Sequence, residues 1–296
     1  MSKVVLITGT SSGFGRDTAI TLADAGFTVF ASMRDSNGKN KRHADNLRES
    51  GIQVVELDVT RTASVNRAID SVLQQAGRID VLINNAGVAY AGVSEAFTDT
   101  QVQQLFDVNV VGVHRVSRAA LPIMRVRGDG LIINIGSILG RVTFPFFGLY
   151  GATKFALEAM TDSLRYELSS LGVDVALVQP SAYPTQMYAS AVQPEDYARA
   201  TDYGAVGEIP SSMFASFMAM FASDDAPNPH DVASAIVKLI NTPKGQRPAR
   251  TLVGAGFGAD QVNQAVSPIQ QQTMAALGLQ QLMPECEQQA SLQHAS

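Results

Sequence analysis

Seven short apolar runs, each but the last two separated from the next by one stretch of helical periodicity, constrain this chain more than any other feature. The runs are 3–8 (KVVLIT), 28–33 (TVFASM), 52–58 (IQVVELD), 79–84 (IDVLIN), 130–136 (GLIINIG), 173–179 (VDVALVQ) and 251–254 (TLVG). Helical patterns occupy 14–25, 40–50, 62–76, 99–126, 150–170, 230–241 and 259–276. Several runs are apolar at every position, as strands must be when helices cover both faces of a parallel sheet. The alternation predicts a doubly wound α/β fold: about seven strands with helices on both faces, in a single domain over 1–280.

The alternation breaks once. Residues 181–229 follow the sixth run and hold no strand pattern, only Tyr183, Tyr188, Tyr197 and Tyr203 and then a Phe/Met cluster at 213–221. A segment that long in one domain is usually functional, and it is read here as a substrate-binding lid. Residues 281–296 have the polar, short-residue character of a flexible tail.

Several classes of function are disfavoured by composition. No run approaches the ~18 apolar residues of a membrane span. The first strand pattern begins almost at once, leaving no room for a signal segment, so a cytoplasmic location is expected. A single cysteine, Cys286, and four scattered histidines offer neither a disulfide nor a metal site. The net charge of −5 argues against nucleic acid or an anionic membrane as partner.

The turn after the first run reads GTSSGFG, with Gly9, Gly13 and Gly15 between a buried strand and a helix that stops at Gly26. Glycines there allow a sharp turn and close approach of a phosphate to the helix N-terminus. A tight turn without a ligand is the alternative. Further along, Tyr150 and Lys154 stand four residues apart, hence on one helix face. That face continues through Leu157, Thr161, Leu164 and Leu168. Alone, the pair could be a surface Tyr and Lys; the apolar continuation argues that Lys154 is shielded, and a buried ammonium without a function is costly.

TGTSSGFG (8–15), NNAG (84–87), Asn109 within DVNV, Ser137 and YGATK (150–154) stand in the order and spacing of the short-chain dehydrogenase/reductase family, which the chain therefore resembles. The motifs cover about 1–185, and the likeness continues to about 275. The stretch YGATKFALEAMTDSLRYEL is most similar to the subset acting on retinoids, steroids and other lipophilic carbonyls or alcohols. The resemblance implies a nicotinamide dinucleotide. Gly9, Gly13, Phe14 and Gly15 would shape its pyrophosphate site, Asp58 would meet the adenine with Val59 beside it, and Asn85, Ala86 and Gly87 would line it. Asn84–Asn85 would also support the central sheet. Pro180 would end the sixth strand at the pocket, with Thr185 near the carboxamide. The family's usual Pro-Gly pair is Pro180–Ser181 here, which adds a side chain at the pocket mouth.

The end of the second run bears on which dinucleotide. An acidic residue there would take the ribose hydroxyls of NAD(H). This chain aligns Met33 with that position, and Arg34 follows. Arginine suits a 2′-phosphate, with Ser11 and Ser12 as further donors, so NADP(H) is favoured. A solvated Arg34 is the alternative, and a one-residue offset onto Asp35 would restore NAD(H).

Hydride reduction of a carbonyl needs a proton donor, and the reverse reaction needs a base. Tyrosine, with a reference pKa near 10, is a poor base at neutral pH. A cation roughly 5 Å away at an effective dielectric of ~20 favours the phenolate by about 3 kcal/mol, roughly 2 pK units. The sequence therefore predicts a phenol on Tyr150 made acidic by Lys154. The resemblance gives Lys154 a second task on the nicotinamide ribose. It also implies that Asn109 interrupts its helix and holds a water near the lysine. Ser137, thirteen residues before Tyr150 at the carboxyl edge of a strand, would orient the substrate oxygen. IGSILG is not a hydrolase nucleophile elbow.

Leu139, Phe144 and Phe147 lie between Ser137 and Tyr150, and Tyr183, Met187, Phe214 and Phe217 belong to 181–229; all are candidate substrate contacts. The 213–221 cluster is apolar almost all round, which suits a lid, core packing or a subunit interface equally. The expected activity is reduction of a hydrophobic, uncharged carbonyl or oxidation of the matching alcohol. A non-catalytic dinucleotide-binding scaffold or redox-responsive regulator is the competing class, and an epimerase or dehydratase fits the glycine spacing less well. The resemblance implies a homodimer or homotetramer through 99–126 and 150–170, where Ala156, Ala159 and Ser163 form a small-residue stripe.

Overall fold

All seven apolar runs pair as parallel strands in the computed structural model, which describes residues 2–284. They are β1 (Val4–Thr8), β2 (Thr28–Met33), β3 (Gln53–Glu56), β4 (Val81–Asn84), β5 (Gly130–Ile135), β6 (Val173–Pro180) and β7 (Arg250–Val253), in the order β3-β2-β1-β4-β5-β6-β7. The order reverses between β1 and β4, and open α/β sheets bind ligands at the carboxyl ends of such strands.

The helices are α1 (Gly13–Asp24), α2 (Lys41–Glu49), α3 (Thr62–Ala76), α4 (Asp99–Phe106), α5 (Gly112–Arg127), α6 (Gly148–Ser169), α7 (Gln186–Ala189), α8 (Tyr197–Asp202), α9 (Ala205–Phe221), α10 (His230–Asn241) and α11 (Ala259–Ala276). Strand side chains alternate between two covered faces. Val5 and Ile7 of β1 join a core with α1, α2 and α10, whereas Val4 and Leu6 join one with α3 and α5. Each fully buried aliphatic side chain contributes about 1.5–3 kcal/mol.

Two polar networks cross this core. Asn84 Nδ2 donates to Ser117 Oγ at 3.0 Å and Asn134 Oδ1 at 2.9 Å, and Asn134 Nδ2 donates to Thr161 Oγ1 at 2.9 Å. They tie β4 and β5 to α5 and α6, so Asn84 supports the sheet. Glu158 of α6, buried, accepts from Arg250 Nε at 2.8 Å, pairs with Arg141 at 2.9 Å and accepts from Gln179 Nε2 at 2.5 Å. Gln179 Oε1 accepts in turn from Asn263 of α11 at 2.7 Å. This second network fastens α11 over the β6–β7 end of the sheet.

Residues 181–229 form α7, α8 and α9, and their one strand-like contact is a bridge between Tyr90 and Val192. No residue of α9 is buried, although most are apolar. At the chain's far end Met283 is buried behind a short turn at Gln280–Leu282, so packing extends past residue 281. The remainder of the expected tail, with Cys286, lies outside the described residues. Among the described residues no helix is long and apolar enough to cross a membrane. On α6, Ala159 and Ser163 are exposed and Ala156 is half-buried.

Candidate active site

The glycine turn leaves β1 at the switch point. Gly9 has φ +71°, and a Cβ there would sit 2.7 Å from Ala86 Cα. At Gly15 a Cβ would meet Asn85 Nδ2 at 2.3 Å and the Gly9 carbonyl oxygen at 2.4 Å. The turn is thus clamped on Asn85–Ala86, and Asn85 Nδ2 donates to the carbonyls of Thr8 and Gly9, both at 2.9 Å. The Asn85 amide positions the turn. Ser12 precedes α1 but makes no side-chain bond to its first amides, which suits them to an anion. Phe14 packs edge-on against Tyr183, their centroids 5.6 Å apart.

Thr10 donates through both its amide and its hydroxyl to the Ser32 carbonyl, at 3.0 and 3.1 Å, so the end of β2 lies beside this turn. Met33 is buried there, and Arg34 is exposed with no ion-pair partner among the described residues. Asp35 has φ +48° and its carboxylate accepts from the Lys39 amide at 2.8 Å. Asp35 is committed to closing its own turn. Asp58 Oδ1 likewise accepts from the Thr60 amide and hydroxyl at 2.9 and 2.7 Å, which stiffens the loop after β3; Val59 behind it is buried.

One cleft runs from Phe14 and Asn85 past Ser137, Tyr150 and Lys154 to Pro180, Ser181 and Thr185. Of the residues expected to hold a dinucleotide, Phe14, Asn85, Pro180 and Thr185 thus line the same cavity as Ser137, Tyr150 and Lys154, whereas Gly9, Gly13, Gly15, Arg34, Asp58 and Asn109 stand outside its lining. Lys154 is its one charged lining residue. Ser181 extends the β6–β7 ladder by donating its amide to the Val253 carbonyl at 2.9 Å.

Lys154 is buried; Nζ donates to the Ile135 carbonyl at 2.8 Å and lies 5.6 Å from the centroid of the Tyr150 ring. Ser137 Oγ accepts from the Leu139 amide at 3.1 Å and lines the cleft together with Tyr150. Met187 Sδ lies 4.0 Å from the same hydroxyl. The expected acidification of Tyr150 does not appear. Burial first, and then the Tyr188 phenol, hold its pKa above the ordinary value, while the Ser137 hydroxyl opposes them. The lysine spends a bond on Ile135 and sits over the ring, so its field does not outweigh desolvation. Tyr150 holds its proton, the form a general acid requires.

Burial also lowers the Lys154 pKa from 10.5 to about 8. Between those values the unfolded chain carries a proton that the folded chain has released, so stability rises with pH by roughly 3 kcal/mol in all. Lys154→Met should remove that rise. Chemical unfolding of both proteins across pH 8 to about 10 tests it, because Arg141 and the tyrosines with shifted pKa are common to both and the difference between them isolates Lys154; parallel slopes would contradict the assignment.

Asn109 lies, buried, in a π turn at Asp107–Val111 between α4 and α5, so it does interrupt the helix. Its Oδ1 accepts from the Val88 amide at 2.9 Å, and its Nδ2 donates to the Val88 carbonyl at 2.9 Å and to Thr153 Oγ1 at 3.1 Å. The side chain is fully engaged in tying β4's extension to α6.

Leu139, Phe144, Phe147, Met187 and Phe217 line the cleft as expected. Tyr183 reaches it too, but is 1% exposed, packed on Phe14 and against Gly254; it belongs mainly to the core. Phe214 lines a separate chamber. Tyr188 and Phe257 also line the cleft; the sequence placed Tyr188 only within the 181–229 segment and offered no candidate role for Phe257. The adjacency of Tyr188 to Met187 and the glycines around Phe257 are the only signals the sequence offers.

Such a sheet, with a glycine turn at its switch point and a buried tyrosine–lysine pair on the same edge, defines a dinucleotide-binding oxidoreductase. The chain belongs to the short chain dehydrogenase family, whose model matches residues 3–196. It is 37% identical over 183 residues to a 3-ketodihydrosphingosine reductase of Bacteroides thetaiotaomicron, a match covering 62% of this chain and 65% of that one, so it spans somewhat under two thirds of that relative. A short-chain dehydrogenase from Streptomyces avermitilis superposes with a TM-score of 0.76 at 29% identity, covering 94% of this chain and 97% of the other. A Burkholderia phymatum short chain dehydrogenase/reductase in complex with NAD gives 0.73 at 26% identity, with 92% and 95% covered. An actinorhodin polyketide ketoreductase variant with NADPH gives 0.73 at 27% identity, with 87% and 97% covered. Structural neighbours thus bind either dinucleotide.

Proposed function

We propose that the protein reduces a hydrophobic, uncharged ketone or aldehyde, or oxidises the matching secondary alcohol, with NADP(H) preferred. The observation that carries this reading is the convergence of Ser137, Tyr150 and Lys154 in the cleft that begins at the glycine turn. When bound, the dinucleotide supplies or takes the hydride. The turn from Gly9 to Gly15 would hold its pyrophosphate, Asp58 and Val59 its adenine end, and Asn85, Ala86, Gly87, Pro180 and Thr185 would wall it in. Lys154 would also reach its ribose hydroxyls.

In reduction, Tyr150 gives its phenolic proton to the carbonyl oxygen as that oxygen gains charge. Ser137 fixes the oxygen's position and donates to it. The nearby ammonium of Lys154 stabilises the phenolate left on Tyr150, and the same groups take the proton back in oxidation. A lining whose one charge is needed for this chemistry has none left to receive a carboxylate, which supports an uncharged substrate. The matched relative named as a ketodihydrosphingosine reductase fits a lipophilic carbonyl.

A panel of ketones with NADPH and NADH, followed by loss of reduced-nicotinamide absorbance, tests the activity. Turnover of none would refute it. The preference for NADP(H) rests on Arg34, free at the end of β2 beside the glycine turn, and on Asp35 being turned away. Arg34→Ala should shrink the ratio of NADH to NADPH dissociation constants by about 10- to 100-fold, the worth of a charge-assisted hydrogen bond. Equal ratios in the two proteins would count against it.

A further inference from the structure

Beyond the cleft lies a second apolar chamber of about 330 Å³. Phe147, Tyr188 and Phe217 line both. Their rings form a partition: Phe217 meets Phe147 edge-on with centroids 6.3 Å apart, and meets Tyr188 at 5.6 Å. The chamber's far walls are Ala91, Ala191, Pro210, Met213 and Phe214, with Gln193 and Ser211 adding its other polar side chains and no charged residue lining it. Phe146 lines it too, with φ +66°. A bulky residue held in the left-handed region is a strained feature, and such strain gathers at binding sites.

We propose that this chamber receives the unbranched alkyl tail of the substrate, so that the preferred carbonyl compounds are medium- to long-chain aliphatic ketones. The proposal rests on the reading of the Tyr150 cleft as the carbonyl site. The cleft beside Tyr150 is also lined by residues expected to hold the dinucleotide, so a long hydrophobic substrate extends past the partition. A chamber of about 330 Å³ accommodates an alkyl chain of several carbons. A flexible chain passes between three aromatic edges where a fused ring system would have to displace them. The wall on the α9 side carries Met213 and Phe214, and α9 has no buried residue, so this wall yields to chains of different length.

The test is a series of straight-chain methyl ketones from 2-butanone to 2-tetradecanone. kcat/KM should climb about two- to fourfold per added carbon, the worth of one buried methylene, through a falling KM. It should then level off once the chamber is full. Met213→Trp, which takes up part of the chamber, should bring the 2-undecanone to 2-pentanone ratio down at least tenfold, and Ala191→Leu should do so less strongly. A flat series in the wild-type protein, or an unchanged ratio in both variants, overturns the proposal. If no ketone turns over with either dinucleotide, the catalytic reading fails, and saturation-transfer NMR of 2-undecanone and 2-pentanone decides the chamber separately. Tighter binding of the longer ketone, lost in Met213→Trp, supports it; equal binding overturns it.

Discussion

Tyr150→Phe should fold, bind dinucleotide like the wild-type protein and lose about 10³-fold in kcat/KM toward any ketone the protein reduces. The size follows from removing a positioned general acid, which contributes ~10²–10⁴. The fold should tolerate the change because the hydroxyl's hydrogen-bond contact among the described residues is a weak one, to a sulfur 4.0 Å away on Met187. The ring keeps its place under Lys154 and against Met187. Steady-state kinetics beside a dinucleotide titration separates the two properties. Retention of more than about a tenth of the activity would show that the proton comes from elsewhere, since even the low end of the range is a hundredfold.

Gly15→Ala should have the opposite profile, damaging binding and fold together. The added methyl would stand 2.3 Å from Asn85 Nδ2 and 2.4 Å from the Gly9 carbonyl oxygen. Neither neighbour is free to move. Asn85 Nδ2 holds Thr8 and Gly9 through two bonds, and Gly9 is itself pressed on Ala86. Relief of the clash breaks that clamp, so overpacking and lost hydrogen bonds together should cost about 2–4 kcal/mol of stability. Dinucleotide affinity should fall more than about 100-fold, because about 3 kcal/mol lost at the turn is a factor of this order. Thermal unfolding and a binding titration measure both effects. An alanine variant with an unchanged melting temperature and affinity would mean that this turn is not the pyrophosphate cradle.

Much of the architecture is legible in the chain itself. The strand runs at 28–33 and 130–136 and the helical patterns at 62–76, 230–241 and 259–276 meet the structure within a residue, because buried strands and two-faced helices need a strict apolar period. The shielding of Lys154 follows from the apolar face it heads. The order of motifs places Ser137, Tyr150 and the glycine turn on one sheet edge, since every parallel strand delivers its carboxyl end to the same side.

Other features depend on contacts between distant residues. Asn109 is spent on Val88 and Thr153, and Tyr183 goes into the core against Phe14, although neither pairing has any sequence spacing to announce it. The direction of the Tyr150 pKa was decided by how deeply the cleft buries it, a quantity no local pattern contains. Likewise Tyr188 meets Phe217 only because α9 folds back across α7, and that fold-back creates both the partition and the chamber. Periodicity and motif order thus determined the sheet, its helices and which side chains stand at its edge, because those follow from backbone hydrogen bonding and local burial. The tertiary structure alone decided charge state, side-chain engagement and the shape of the space for a substrate, because each is a sum over neighbours that the chain brings together only on folding.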